Sequence, residues 1–327
     1  MFWSGELIAR TAPIRHRPSV ERSPLADRAV AAYVGLAIGD ALGATVEFMT
    51  PREIRAQYRM HSEIIGGGWL RLKAGQVTDD TTMALALGES ILRHGTVNAL
   101  ATAQAFDAWM RGKPVDIGNT VRRNLITFRS TGQPEAPASE HDAGNGAAMR
   151  VLPVALACHG QSAAAVIAAS RTQAHVTHHN ALSDAACETL IFMVQDFLAG
   201  HDALQVENDR VVPLVERFPV FAWDQKPREN PSGFVVDTLQ AVFQSFFATE
   251  SFEDCLIDVV NRGGDADTTG AIAGMLAGAR YGLADIPRRW LRGVDELTRV
   301  RCEKQAAALI TLAADKAQTV PPDTSPS

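Results

Sequence analysis

Apolar and small residues recur at intervals of three and four through most of the chain, while runs that alternate apolar and polar are scarce. That spacing is helical. It predicts a buried helix from Asp27 to Val46 and further helices over Thr81 to Arg93, Ala99 to Met110, Ala147 to His159, Ala163 to Gln173, Ser183 to Leu198, Val235 to Phe247 and Thr269 to Tyr281. Two more starts are marked by capping chemistry. Thr50-Pro51-Arg52-Glu53 offers a hydroxyl cap, a proline in the first turn and a returning glutamate, and Ser251-Phe252-Glu253-Asp254 reads as another capped start leading into Cys255 to Val260. The chain therefore reads as all-α. Gly270, Gly274 and Gly278 share one face of a predicted helix. Each weakens a helix by about 1 kcal/mol against alanine, and the usual return is close approach of a neighbouring helix. The pattern predicts that this helix is central.

The ends read differently. Residues 1–26 carry Arg10, Arg15, Arg17 and Arg22 with Pro13 and Pro18, which predicts a disordered basic leader; residues 314–327 predict a disordered tail, leaving a single domain over 27–313. The net charge of −6 gives no electrostatic case for nucleic-acid or membrane binding. No apolar run reaches the roughly 18 residues of a membrane span, and the first 23 residues lack a signal-peptide core. The expectation is a cytoplasmic protein. Cys158, Cys187, Cys255 and Cys302 have no metal-binding spacing and sit in apolar helical contexts, as reduced core thiols do.

Chemistry concentrates in two acidic clusters. Thr78-Asp79-Asp80 and Asp265-Ala266-Asp267-Thr268 each lie where a glycine-containing loop enters an alanine- and leucine-rich helix. Capping explains one acid per helix start, not two with flanking hydroxyls at both. An oxygen-only donor set suits hard divalent cations, Mn²⁺ or Mg²⁺. If the clusters meet, there are ligands for two ions. Glu47, near the exit of the first helix, is placed to act as ligand or general base, whereas Asp40 inside that helix reads as a buried acid bonded to neighbouring backbone. Gly144-Asn145-Gly146-Ala147-Ala148-Met149-Arg150 reads as a small-residue helix opening at which backbone N–H groups can meet a phosphate; its alternative is a plain turn. Val115-Asp116-Ile117-Gly118-Asn119-Thr120 reads as a turn with an acid. His175, His178 and His179 lie beside Thr177 and Asn180, with one of them expected at a ligand. Nucleophile-elbow, phosphate-loop and dinucleotide fingerprints are absent.

Taken together, Gly39-Asp40-Ala41-Leu42-Gly43 with Glu47, Thr78-Asp79-Asp80-Thr81, Gly144 to Arg150, and Gly263-Gly264-Asp265-Ala266-Asp267-Thr268-Thr269-Gly270 resemble, in that order, the ADP-ribosylglycohydrolase family. Residues 44–50, 66–73, 114–120 and 182–187 are similar to its subfamily of dinitrogenase reductase-activating glycohydrolases. The resemblance spans about residues 27 to 310. It implies a single compact orthogonal helical bundle with a binuclear metal cleft. It further implies Thr78, Asp79, Asp80, Asp265, Asp267 and Thr268 as metal ligands, Glu47 as the mobile acid, and Asp116, Gly118, Asn119, Asn145, Gly146 and His178 as contacts to ADP-ribose. Phe234 departs from the subfamily, where a tyrosine is common; a hydroxyl contact is lost there while ring stacking survives.

The activity the resemblance implies is metal-dependent removal of ADP-ribose from an arginine of a target protein, dinitrogenase reductase being the expected substrate; Asp116 is the candidate catalytic acid, protonating either the departing group or the ring oxygen, and Glu47 the candidate base. Serine-linked ADP-ribose, O-acetyl-ADP-ribose and poly(ADP-ribose) are alternative substrates, and a non-catalytic regulatory relative is an alternative class. Retention of every acid in both clusters argues against that last class. The subfamily also implies a P-II signalling protein as partner and reversible recruitment to a membrane through it.

Overall fold

The computed structural model describes residues 23–319. Its α-helices are, in chain order, α1 (Pro24–Gly43), α2 (Pro51–Tyr58), α3 (Asp79–His94), α4 (Ala99–Arg111), α5 (Asn119–Thr131), α6 (Leu152–Ala157), α7 (Ala163–Ala174) and α8 (Ala181–Ala199). They continue with α9 (Ala203–Val206), α10 (Val212–Arg217), α11 (Val235–Ala248), α12 (Phe252–Val260), α13 (Ala266–Tyr281), α14 (Arg288–Gly293) and α15 (Glu296–Thr319). Among the described residues there is no strand. Two isolated bridges, Gly67 with Leu72 and Gly144 with Phe234, are the extended pairings described. The fold is all-α, as the periodicity predicts.

Its axis is the crossing of α1 and α13. Both helices are buried over nearly their whole length, as helices apolar on every side are. They run antiparallel at backbone contact. A Cβ on Gly39 would lie 1.9 Å from the carbonyl oxygen of Gly270, one on Gly35 2.2 Å from that of Gly274, and one on Gly43 2.1 Å from that of Ala266. The glycine face expected on α13 thus meets a reciprocal glycine face on α1 that the periodicity did not single out. No side chain fits in that seam, so glycine's helical penalty is offset by approach that no other residue allows. The crossing sets the end of α1, which leads to Glu47, beside the start of α13, which carries Asp267.

Several boundaries differ from expectation. Residues 146–150 form turns, and α6 begins only at Leu152; the helix expected from Ala147, and with it the phosphate-binding helix end, is not formed. Small residues there allow turns as readily as helix. The segment expected as a turn at 115–120 ends in the start of α5, with Gly118 as its cap. α1 starts at Pro24, and α15 runs to Thr319, past the expected domain end at 313. In α15 the buried positions Cys302, Ala306, Leu309 and Ala313 form a narrow stripe of mostly small residues among charges, which leaves a faint hydrophobic period. The remainder of the expected leader and tail lies outside the described residues. All four cysteines are buried and free. Among the described residues no helix is long and apolar enough to cross a membrane.

Candidate metal centre and active-site cleft

The two acidic clusters meet. Asp80, near the start of α3, accepts from Thr78 Oγ1 at 3.2 Å and from Thr268 Oγ1, on α13, at 3.4 Å. Thr78 is the N-terminal cap of α3 by position, yet its hydroxyl is turned to Asp80, so the helix end needs another acceptor. Asp40 of α1 supplies it. Its carboxylate accepts from Thr78 N at 2.9 Å, Thr81 N at 3.1 Å and Thr81 Oγ1 at 2.5 Å. Asp40 is the satisfied buried acid that the sequence suggests, and it fixes the cluster that follows.

On α13, the sharp entry through Gly263 and Gly264, both at positive φ, sets Asp265 as the cap. Asn145 Nδ2 donates to Asp265 Oδ2 at 2.7 Å and to Thr238 Oγ1 at 2.9 Å. With both amide hydrogens committed, Asn145 orients Asp265 and offers the cleft only its Oδ1, on the amide assignment its network dictates. Asp79 Oδ2 accepts from the Gly118 amide at 3.3 Å. Oxygens of Glu47, Asp265 and Asp267 lie within 4.8 Å of one another, close enough to share one cation. Asp80 Oδ1 is buried with no hydrogen-bond partner among the described residues. An unpaired buried carboxylate oxygen is costly, and a cation or proton is what it lacks.

The electrostatics agree. Burial pushes Asp79 up to about 7, with the nearby Asp116 and Asp40 charges adding to it. Burial also carries Asp80 and Asp267 well above the carboxylate range, Asp40 and Glu47 respectively being the foremost charges behind it. Glu47 is pushed up to about 8 by burial, against the opposing hydrogen bond from Trp69. Packed acids of one sign hold protons unless cations replace them.

A cleft of about 300 Å³ opens over this cluster. Its lining includes every expected site residue except Thr78 and Asp80, which lie beneath its floor: Glu47, Asp79, Asp116, Gly118, Asn119, Asn145, Gly146, His178, Asp265, Asp267 and Thr268. Of the histidine cluster, only His178 lines it. His175 and His179 stack on one another at 3.7 Å, with His175 Nε2 3.0 Å from Asp184 and His179 Nδ1 3.0 Å from the Ala136 carbonyl; their roles are structural. Burial, with Arg150 and Arg123 nearby, pushes His178 down to about 3, so its ring is neutral. Phe234 does not line the cleft, though Gly233 does. A larger cleft of about 960 Å³ between α3, α4 and the start of α15 contains none of these residues.

Two neighbours of Glu47 were not foreseen. Trp69 Nε1 donates to Glu47 Oε2 at 2.6 Å, and the Trp69 ring lies 5.4 Å from that of Phe48. Both rings are largely exposed, Phe48 at 63% and Trp69 at 52%. Phe48 sits at φ 61°, a conformation unfavourable for a bulky residue. The signal in the sequence is slight: an aromatic beside an acid, and a tryptophan after three glycines.

An all-α bundle whose acid-bearing helix starts converge beneath a cleft defines the class: the chain belongs to the ADP-ribosylglycohydrolase family, whose sequence model matches residues 21–319. It is 48% identical, over 88% of this chain and 97% of the relative, to ADP-ribosyl-[dinitrogen reductase] glycohydrolase of Rhodospirillum rubrum. It is 34% identical to ADP-ribosylarginine hydrolase Tri1 of Serratia proteamaculans (strain 568), over 83% and 76% of the two chains. Among solved structures, an ADP-ribosylglycohydrolase-related protein complex superposes with a TM-score of 0.79 at 34% identity, covering 89% of this chain and 99% of that one.

Proposed function

We propose that this chain hydrolyses the N-glycosidic bond between ADP-ribose and an arginine of a target protein, with dinitrogenase reductase as target. The observation that carries the reading is the convergence of Glu47, Asp265 and Asp267 around a cation-sized space, beside the unpartnered Oδ1 of Asp80. The 48% identity to a glycohydrolase named for dinitrogen reductase supports the target, and the likeness to ADP-ribosylarginine hydrolases supports the arginine linkage.

The donor set fits hard cations: the buried Asp79, Asp80 and Asp267, the half-buried Asp265, a glutamate and two threonine hydroxyls, all oxygen. Asp79, Asp80, Asp265, Asp267, Thr78 and Thr268 would hold two divalent ions, Mn²⁺ or Mg²⁺, with Glu47 as a further acid. When bound, such ions neutralise the clustered carboxylates and act as Lewis acids toward sugar hydroxyls and water. The chain's own residues do the rest. Gly118, Asn119, Gly146 and His178 line the space for the ADP-ribosyl group. Asp116, partly exposed in that wall, delivers a proton as the C–N bond breaks, so that the guanidine leaves in a stable form. Glu47, in its ionised form, takes a proton from the incoming water. Nearby carboxylates stabilise the oxocarbenium-like transition state. On the subfamily likeness, a P-II signalling protein is the regulator to test as partner.

The experiment is release of ADP-ribose from ADP-ribosylated dinitrogenase reductase, with and without Mn²⁺, and with arginine-linked and serine-linked peptides in parallel. Release from the protein and the arginine peptide, stopped by chelation, is expected. Asp116→Ala should bind Mn²⁺ normally and lose most turnover. Turnover that survives thorough chelation, or release from the serine peptide alone, refutes the reading.

A further inference from the structure

Behind His178 lies a chain of hydrogen bonds for which the reaction above gives no use. Arg150 is fully buried, its guanidinium 4.3 Å over the Phe106 ring. Its Nε donates to Gln173 Oε1 at 3.0 Å, and its Nη2 donates to the Gln173 carbonyl at 3.1 Å and to Thr177 Oγ1 at 2.7 Å. Thr177 is also fully buried, and its Oγ1 lies 2.8 Å from His178 Nδ1.

The direction of this relay follows from donor chemistry. A guanidinium has no acceptor, so Thr177 Oγ1 must accept from Arg150. The hydroxyl has a single hydrogen, and its remaining neighbour is His178 Nδ1. Were Nδ1 protonated, Thr177 would accept twice and leave its own hydrogen buried and unpaired, which is unfavourable. Thr177 therefore donates to Nδ1, and the proton of the neutral ring sits on Nε2. Among the described residues that nitrogen has no protein partner, yet it is not among the buried unpartnered atoms, so it opens to the cleft that His178 lines. The ring is only 2% exposed and is wedged against two glycines: a Cβ on Gly146 would lie 2.8 Å from Cε1, and one on Gly144 3.0 Å from Nε2.

We infer that Arg150 and Thr177 are positioning residues that lock His178 as a neutral ring with its Nε2–H aimed into the cleft, a fixed donor for an acceptor oxygen of the ADP-ribosyl group. The identity of that ligand rests on the function proposed above; the locked tautomer does not. A donor held without charge and without rotational choice binds at little entropic cost, and it keeps the same state over the range in which an ordinary histidine titrates, about pH 5 to 8.

The test is nitrogen NMR of the His178 side chain in the full-length protein, paired with calorimetric titration of ADP-ribose into the Mn²⁺-loaded protein. The parent should show Nδ1 unprotonated, Nε2 protonated and no titration across that range. Thr177→Val, which keeps shape and removes the hydroxyl, should lose the hydrogen-bonded Nδ1 signature, weaken ADP-ribose roughly five- to tenfold and raise KM with little change in kcat. Thr177→Ser should restore all three. A proton on Nδ1 in the parent, a ring that titrates, or a Thr177→Val protein that binds ADP-ribose normally overturns the inference. If Thr177→Val does not fold, the parent spectrum alone decides the tautomer. A correct tautomer in a protein that binds no ADP-ribose sinks the ligand assignment together with the hydrolase reading.

Discussion

The α1–α13 seam can be tested with a single methyl group. In Gly39→Ala the new Cβ would stand 1.9 Å from the Gly270 oxygen, 2.3 Å from its carbon and 2.9 Å from Ala271 N, all backbone, whereas ordinary contact begins at 3.4 Å. No rotamer relieves a clash with backbone, so the helices must part by about 1.5 Å over the crossing. Overpacking of this kind costs about 1–3 kcal/mol, and parting also forfeits dispersion contacts along the rest of the seam. Against this stands the gain of about 1 kcal/mol from alanine in a helix. With so short a backbone contact the upper end of that cost applies, and the net expectation is a loss of about 2 kcal/mol, or a Tm lower by about 4 °C, measured by urea unfolding and thermal circular dichroism. Gly88→Ala provides the comparison: its Cβ would meet only the end of the Gln305 side chain, and a smaller loss is expected. The displaced α13 should also weaken Mn²⁺ binding. A Gly39→Ala protein within about 0.5 kcal/mol of the parent, with unchanged metal affinity, refutes the reasoning.

Three further outcomes follow from the acids. In chelator, Asp40, Asp79 and Glu47 are raised to about 6, 7 and 8 in the fold but ionise in the usual carboxylate range when unfolded. The folded state therefore holds extra protons, and stability should fall as pH rises from about 4 to 8, by about 1.4 kcal/mol per pH unit for each proton retained. Added Mn²⁺ should flatten that slope; urea midpoints that rise with pH in chelator contradict the account. Asp267→Asn should abolish Mn²⁺ binding in calorimetry and yet raise the Tm of the chelated protein at about pH 8, because it removes an acid whose burial penalises ionisation; a lower Tm counts against the like-charge picture. Trp69→Phe removes the indole donor to Glu47 Oε2, so Glu47 keeps its proton to higher pH and the acid limb of the kcat profile moves alkaline. An unmoved limb removes Glu47 as the base.

The acidic clusters were legible in the sequence because two acids with flanking hydroxyls at a glycine-led helix start exceed what capping requires. The all-α class was legible because burial on one face leaves a period in the chain. The partner of α13's glycine face escaped notice because Gly35, Gly39 and Gly43 sit in a helix that is apolar on every side, where small residues do not stand out. The turns at 146–150 read as helix in the sequence because Ala147, Ala148 and Met149 suit both, and it is the contacts of Asn145 with Gly233, Asp265 and Thr238 that decide. The Arg150–Thr177–His178 relay was invisible for another reason: buried arginines are rare, and a lone Arg after a small-residue loop reads as surface. Trp69 reaches Glu47 across 22 positions of chain through a loop with no regular period to place it.

That α1 and α13 are each other's innermost neighbours also shapes how the protein must be made. Thr268 and Asp80, which meet at the floor of the cleft, are 188 residues apart. At roughly 5–20 residues per second of synthesis, α1 waits on the order of 10 to 40 seconds after Asp80 is added before its mate exists. For that interval its glycine groove has nothing to close it, and the first acidic cluster has no counterpart. A nascent chain lacking α13 is thus inert, and no catalyst can form until α13 has been made.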